Sequence, residues 1–183
     1  MIQWIVFAVG SILLIVLSWT SLHHPDSHGF YRFFAWEAIL ALIVVNATKW
    51  FINWLAWYQI ISWILLIACI VPLVFGVDSL RRRGKPNKEE RPDPQLLAFE
   101  RTTKLVTSGI YKYIRHPLYS SLLLLAWGVF FKAPDQTGIT LALLATLFLN
   151  ATAKADEAEC IQIFRVDYQE YMKRTKLFIP YVF

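Results

Sequence analysis

The sequence predicts an all-α, polytopic membrane protein with about five transmembrane helices and a cytosolic helical extension at its C-terminus. Three observations carry that prediction. The 183 residues are 57% hydrophobic and 16% aromatic, with a mean hydropathy of +0.46, above the apolar share of soluble domains. Apolar runs long enough to cross a bilayer recur along the chain. The charges are also asymmetric: of 18 Lys and Arg, only Lys49 and Lys132 fall near the turns on one side, and the other 16 fall on the opposite side. The side rich in basic residues is expected to be cytoplasmic. Five spans then place the N-terminus outside and the C-terminus inside.

The elements follow in order. A first helix is expected from Ile2 to Leu22, ended by His23-His24-Pro25-Asp26. It lacks a basic leader and a small-residue cleavage site, so it reads as a retained span rather than a signal peptide. His23, His24 and His28 have no second ligand cluster beside them and read as a polar turn, with no metal site. The second helix is expected over about residues 30–51, with Glu37 and Asn46 inside it. A carboxylate within a span is costly; Glu37 either has a functional role or reaches the interface. Asn53-Trp54 marks a short outer turn. The third helix is expected over about residues 56–77, kinked by Pro72. A polar segment over residues 78–108 follows, opening with Arg81-Arg82-Arg83-Gly84-Lys85-Pro86 and broken further by Pro92 and Pro94. Residues 95–101 are expected to form a short interfacial helix. The fourth helix is expected over about residues 117–131, and the fifth over about 138–153. The latter continues as a polar cytosolic helix with Phe164, Tyr168 and Tyr171 at helical spacings. The apolar residues 177–183 are expected to fold back onto the membrane surface.

These elements divide into an N-terminal three-helix part (1–78), a cytosolic loop (79–108) and a motif-bearing part (109–183) within one integral membrane domain. The net charge of +5 fits anchoring at the inner membrane face, and membrane lipids are the expected partners. The basic residues show no zinc-finger spacing or other recognition module, which sets nucleic acid aside. Cys69 and Cys160 are expected at different depths, unpaired.

The informative stretch is residues 105–119, L-V-T-S-G-I-Y-K-Y-I-R-H-P-L-Y. Thr107-Ser108-Gly109 suits a turn, because glycine tolerates left-handed backbone angles. Pro117 suits the first turn of a helix, where its missing N–H costs nothing. Lys112, Arg115 and His116 therefore stand at the mouth of a membrane helix, among Tyr111, Tyr113 and Tyr119. Basic residues and tyrosines are common interfacial anchors; together with an imidazole they can also hold a polar, anionic ligand. Downstream come Asp156-Glu157, then Phe164, Tyr168 and Tyr171, then Phe178-Ile179-Pro180.

The combined pattern resembles the isoprenylcysteine carboxyl methyltransferase and phospholipid methyltransferase superfamily of integral membrane enzymes. That family shows L-V-x-x-G-x-Y-x-x-x-R-H-P-x-Y, an acidic pair, F-G-x-x-Y-x-x-Y and a terminal I-P. The resemblance covers residues 105–180. It implies S-adenosylmethionine-dependent methyl transfer at the membrane–cytosol interface, with S-adenosylhomocysteine as product and a lipid-like or small apolar acceptor. It implies donor binding by Thr103, Lys104, Leu105, Val106, Tyr111, His116, Pro117, Leu118, Tyr119, Asp156 and Glu157, with Arg115, His116 and Glu157 as catalytic residues. In chemical terms Arg115 and His116 suit the donor's carboxylate, and Asp156 or Glu157 its ammonium. The two acids lie about 100° apart on a helix, so one faces the pocket and the other faces away.

Two departures stand out. Arg165 follows Phe164 where the family has glycine. Thr152 stands where carboxyl-methylating members have an arginine, four residues before the acid; this argues against prenylcysteine carboxyl methylation. An ionised carboxylate needs only positioning, whereas an amine or thiol must shed a proton. His116, Glu37 or a donor-side acid are the candidates for that task. Two other readings remain: a nicotinamide-dependent membrane reductase related to sterol reductases, and a non-enzymatic scaffold or carrier. The reductase pattern has Asn before the final Tyr of the R-H block, where this chain has Leu118.

Overall fold

The computed structural model describes residues 2–91 and 96–181. It is helical, and among the described residues the extended pairing is confined to isolated bridges, Pro86 with Thr102 and Ile114 with Lys176. The helices are α1 (Ile2–Leu22), α2 (His28–Asn46), α3 (Trp57–Ala68), α4 (Ile70–Arg83), α5 (Pro117–Phe130) and α6 (Gln136–Arg174). Among the described residues, four segments are long and apolar enough to cross a membrane: Ile2–Leu22, His28–Lys49, Trp57–Arg83 and Gln136–Arg174. The fourth expected span, α5, has 14 residues, about 21 Å of helix, less than a bilayer core. Wide apolar faces point outward, as on α1 at Ile2, Trp4, Ile5, Leu13 and Leu17. Such surface is at home in lipid, and the chain is an integral membrane protein.

Several boundaries differ from those expected, each for a local reason. Helix α2 starts at His28 rather than Phe30, because the Ser27 side chain caps it by accepting from Phe30 N. It ends at Asn46 and gives way to a 3₁₀ turn, Ala47–Lys49, short of residue 51. The turn at Asn53 is present, with that residue at φ 50°. The third span breaks at Cys69, between α3 and α4. Pro72 has no N–H to offer the carbonyl of Ala68, so the ladder opens one turn before the proline. Helix α4 then runs on to Arg83, so Arg81-Arg82-Arg83 are helical rather than the start of the loop. Residues 96–101 form a bend and turns, not the expected interfacial helix; Gln95, Pro92 and Pro94 lie outside the described residues.

Helix α2 is the hub. Its Ala38, Ile39 and Leu42 pack with Ala126 and Val129 of α5 and Ala142 and Ala145 of α6. Small side chains let apolar helices approach closely, which is how helices associate in lipid. The α3–α5 contact is equally close. Ser62 donates to the carbonyl of Gly128 at 2.6 Å, and a Cβ on Gly128 would sit 2.9 Å from Leu66 Cδ2. Ser11 of α1 donates to Glu37 Oε2 at 2.8 Å, so Glu37 serves the α1–α2 contact. Lys132, expected in the outer turn, is 1% exposed. Its Nζ donates to Gln59 Oε1 at 3.1 Å and lies 3.4 Å from the ring centre of Trp63. Burial lowers its pKa, and the aromatic face offsets the lost hydration.

Helix α6 begins at an Asp135 cap and spans 39 residues, roughly 58 Å at the usual rise. It therefore outruns the bilayer, as expected of a span with a polar extension. Its one irregularity is Arg165, at φ 50° and ψ −125°. The start of the C-terminal segment pairs with the R-H-P block. Lys176 N donates to Tyr113 O, and Arg115 N and His116 N donate to Lys176 O and Leu177 O. Phe178 is buried with Ala35, Tyr119, Leu149 and Ala153, while Ile179 and Tyr181 are exposed. Val182 and Phe183 lie outside the described residues.

Candidate functional site

The tail pairing fixes the R-H-P block from below, and a turn fixes it from above. Gly109 sits at φ 69°, and a Cβ there would come 2.9 Å from both Ser79 Oγ and Arg83 Nη1. Glycine is thus required twice over, by backbone angle and by space. A 3₁₀ turn, Gly109–Lys112, follows, and Pro117 opens α5 as expected. His116 and Tyr119 stack on each other, with ring centres 5.3 Å apart.

A cavity lies against this block. His28 of α2 and Leu80 of α4 contribute to its wall, with Arg91, Leu96, Glu100, Thr102, Leu105 and Val106 from the loop. Tyr111, Arg115, His116, Pro117, Leu118 and Tyr119 form one side, and Asp156, Cys160, Phe164, Tyr168 and Tyr171 of α6 form the other. Of the residues the sequence suggested, Leu105, Val106, Tyr111, Arg115, His116, Pro117, Leu118, Tyr119 and Asp156 meet here. Thr103 and Lys104 do not line the wall; Thr103 Oγ1 donates instead to Lys85 O at 2.9 Å. Glu157 is turned away from it, one helical step from Asp156.

The adjacent acids have separate partners. Asp156 Oδ2 accepts from Tyr119 OH at 3.1 Å and lies 3.5 Å from His116 Nδ1. Cys160 Sγ is 3.6 Å from Asp156 Oδ1. Glu157 Oε1 is 2.5 Å from Arg115 Nε, and Arg115 Nη1 donates to the carbonyls of Met172 and Thr175. Arg115 is therefore a strut between the R-H-P block, α6 and the tail. His116 stands between both acids. Burial opposes charge on its ring, but Asp156 and Glu157 outweigh burial and raise its pKa above 6.5. Its Nε2 lies 3.4 Å from Glu157 Oε1 yet is buried without a hydrogen-bond partner.

Sequence reasoning missed polar residues at and around this site, among them His28, Arg32, Glu100 and Glu159. His28 is 1% exposed, and both its backbone N and its Nδ1 contact the Glu159 carboxylate, at 2.9 Å and 2.7 Å. It is a site residue rather than part of a polar turn. Arg32, one turn later, donates to both oxygens of Glu100 at 3.0–3.1 Å. Leu97 N also donates to Glu100, so this carboxylate clips the loop to α2. The signal was the spacing: 28 and 32 share one face of α2, and 156, 159 and 160 share one face of α6. His28, Asp156 and Glu159 bring ligand-type atoms within 4.8 Å of one another, but both Glu159 oxygens are already used by His28, which argues for hydrogen bonding over metal binding.

Residues 96–165 match the family model described as phospholipid methyltransferase. A methanethiol S-methyltransferase of Pseudomonas deceptionensis is 28% identical over 76 residues, 40% of this chain and 28% of that protein. Methanethiol S-methyltransferase 1 of Bradyrhizobium diazoefficiens is 27% identical over 77 residues, 41% of this chain and 26% of that protein. A methanethiol S-methyltransferase of Crocosphaera subtropica is 27% identical over 81 residues, 43% and 30% of the two chains. The chain spans less than a third of the length of these curated relatives. No solved structure matches. The matched segment holds part of the loop, the R-H-P block and the α6 acids at the cavity, and over residues 96–165 the chain is similar to the phospholipid methyltransferase family.

Proposed function

We propose that this protein is an S-adenosylmethionine-dependent methyltransferase acting at the membrane–cytosol boundary on a small apolar or lipid-like acceptor. The observation that carries the reading is the meeting of Asp156, His116 and Tyr119 at one cavity. Asp156 is a carboxylate with about four acceptor positions. Tyr119, His116 and Cys160 approach it, which leaves room for one more donor, such as the ammonium of an amino acid. The positive charge that Asp156 and Glu157 favour on the His116 ring suits the carboxylate of the same ligand. Leu96, Leu105, Val106 and Phe164 offer apolar surface to an adenine. These features fit S-adenosylmethionine, which when bound supplies an electrophilic methyl group.

The chain's own contribution is positioning and exclusion of water. Arg115 holds the R-H-P block against α6, the Arg32–Glu100 pair holds the loop over the site, and the apolar walls keep the interior dry. The curated relatives are methanethiol S-methyltransferases by name, which makes a small thiol the first acceptor to assay. The charge split argues for a cytosolic site, with the N-terminus outside and the C-terminus inside.

Calorimetric titration of the protein in nanodiscs with S-adenosylhomocysteine and with NADPH tests the reading. Binding of S-adenosylhomocysteine, lost in Asp156→Ala, is expected. Binding of NADPH alone would replace it with the reductase reading.

A further inference from the structure

We propose that His28 and Glu159 form the proton-accepting dyad of this site, and that its acceptor is a neutral thiol deprotonated during methyl transfer. The inference rests on the methyl-transfer reading above and adds to it a base and an acceptor class.

A base is needed only if the acceptor carries a proton. A thiol is mostly protonated near neutral pH, and its thiolate is the nucleophile. A carboxylate acceptor would instead want a cation. Arg32 and Arg115 are engaged by Glu100 and Glu157. Arg91 donates through Nη1 to the carbonyls of Glu100 and Thr102, and its Nε is buried without a hydrogen-bond partner. Position 152 holds a fully buried threonine, whose hydroxyl donates to Phe148 O at 2.7 Å.

Two imidazoles line the cavity, His28 and His116. A carboxylate faces each ring nitrogen of His116, Asp156 at Nδ1 and Glu157 at Nε2, so neither is left for an acceptor. His28 has a different setting. Its Nδ1 lies 2.7 Å from Glu159 Oε2, and its backbone N–H holds the other oxygen of that carboxylate. An ionised carboxylate only accepts, so Nδ1 carries the hydrogen and Nε2 is the nitrogen left to take a proton. Glu159 fixes the tautomer and supports the imidazolium, the arrangement of a base with its orienting acid. The charged groups acting on the ring are Glu159 and Asp156 from α6 and Arg32 from α2.

In the step, the thiol S–H proton passes to His28 Nε2. The thiol sulfur bonds to the methyl carbon as the sulfonium C–S bond breaks, and that bond's electron pair remains on the donor sulfur as a thioether. The positive charge lost from the sulfonium appears on the imidazolium, which then releases its proton to water.

The test compares a simple alkanethiol with an aromatic thiol that is already ionised at the assay pH, in full-length protein in nanodiscs. His28→Gln keeps a donor for Glu159 but cannot accept the proton. It should lose about 100-fold or more with the alkanethiol, in the range of general-base effects, with little change for the ionised thiol. Its affinity for S-adenosylhomocysteine should be retained, and added imidazole should restore alkanethiol methylation in His28→Ala. Should both variants lose S-adenosylhomocysteine binding, Glu159→Gln decides, since it leaves His28 in place and should slow the alkanethiol selectively. Equal losses on both thiols, or none, overturn the dyad. Wild-type protein that binds S-adenosylhomocysteine yet methylates neither thiol overturns the acceptor class. Wild-type protein that does not bind S-adenosylhomocysteine overturns the methyl-transfer reading beneath it.

Discussion

Arg115 Nε lies 2.5 Å from Glu157 Oε1 across the boundary between the R-H-P block and α6. The same guanidinium reaches the carbonyls of Met172 and Thr175, so one side chain joins three segments. Removing one partner of a largely buried ion pair leaves the other uncompensated. Arg115→Ala should therefore destabilise the fold by about 3–5 kcal/mol. Denaturant unfolding in detergent measures this, and unchanged stability would exclude the strut role.

Asp156 and Glu157 should separate in their effects. Asp156→Ala removes the cavity carboxylate and should weaken S-adenosylhomocysteine binding by about 1.5–3 kcal/mol, the scale of a hydrogen bond to a charged group. Methyl transfer in a single turnover should fall with it. Glu157→Gln should lower stability through Arg115 while leaving donor affinity nearly intact in the folded fraction. The reverse ranking would place the donor on the other face of α6.

The His116 pairs should make stability fall as pH rises. The folded pKa is raised above the unfolded 6.5, so the stabilisation is fully present below 6.5 and is lost as pH climbs through the folded value. The difference in Tm between wild type and His116→Gln should narrow across that window. A difference that grew with pH would show that the ring is neutral in the folded protein.

Arg165→Gly should stabilise the protein. Its φ of 50° with ψ of −125° is a region that glycine occupies freely and other residues occupy at a cost of about 1–3 kcal/mol. The family has glycine at this position. A lower melting temperature for the glycine variant would show that the kink is held by the arginine side chain.

Cysteines introduced at Lys88 and Lys173 should react with an impermeant reagent from the same face of the membrane, and one at Asn53 from the opposite face. Labelling of all three from one side would break the topology drawn from the charge split.

Local chemistry was legible in the sequence. The apolar runs announce the spans, because lipid forces every backbone polar group to be satisfied within a helix. Gly109 and Pro117 announce the turn and the start of α5, because glycine permits left-handed angles and proline fixes φ. The separation of Asp156 from Glu157 follows from helical geometry alone. Boundaries were less legible where a side chain acts across a turn, as Ser27 does in drawing His28 into α2.

Tertiary structure decided what depends on partners far along the chain. His28 and Glu159 are 131 positions apart, and only the packing of α2 on α6 brings them into contact at the cavity wall. The same packing turned a histidine that reads as a polar turn into a buried ring beside a carboxylate. Lys132 reads as a solvent-facing charge until Gln59 and Trp63 close around it. The apolar tail reads as a surface anchor until its backbone pairs with residues 113–116 and Phe178 enters the core. In each case the deciding energy is the burial of a group against surface the local sequence does not contain, and hydrophobic or helical periodicity carries no record of it.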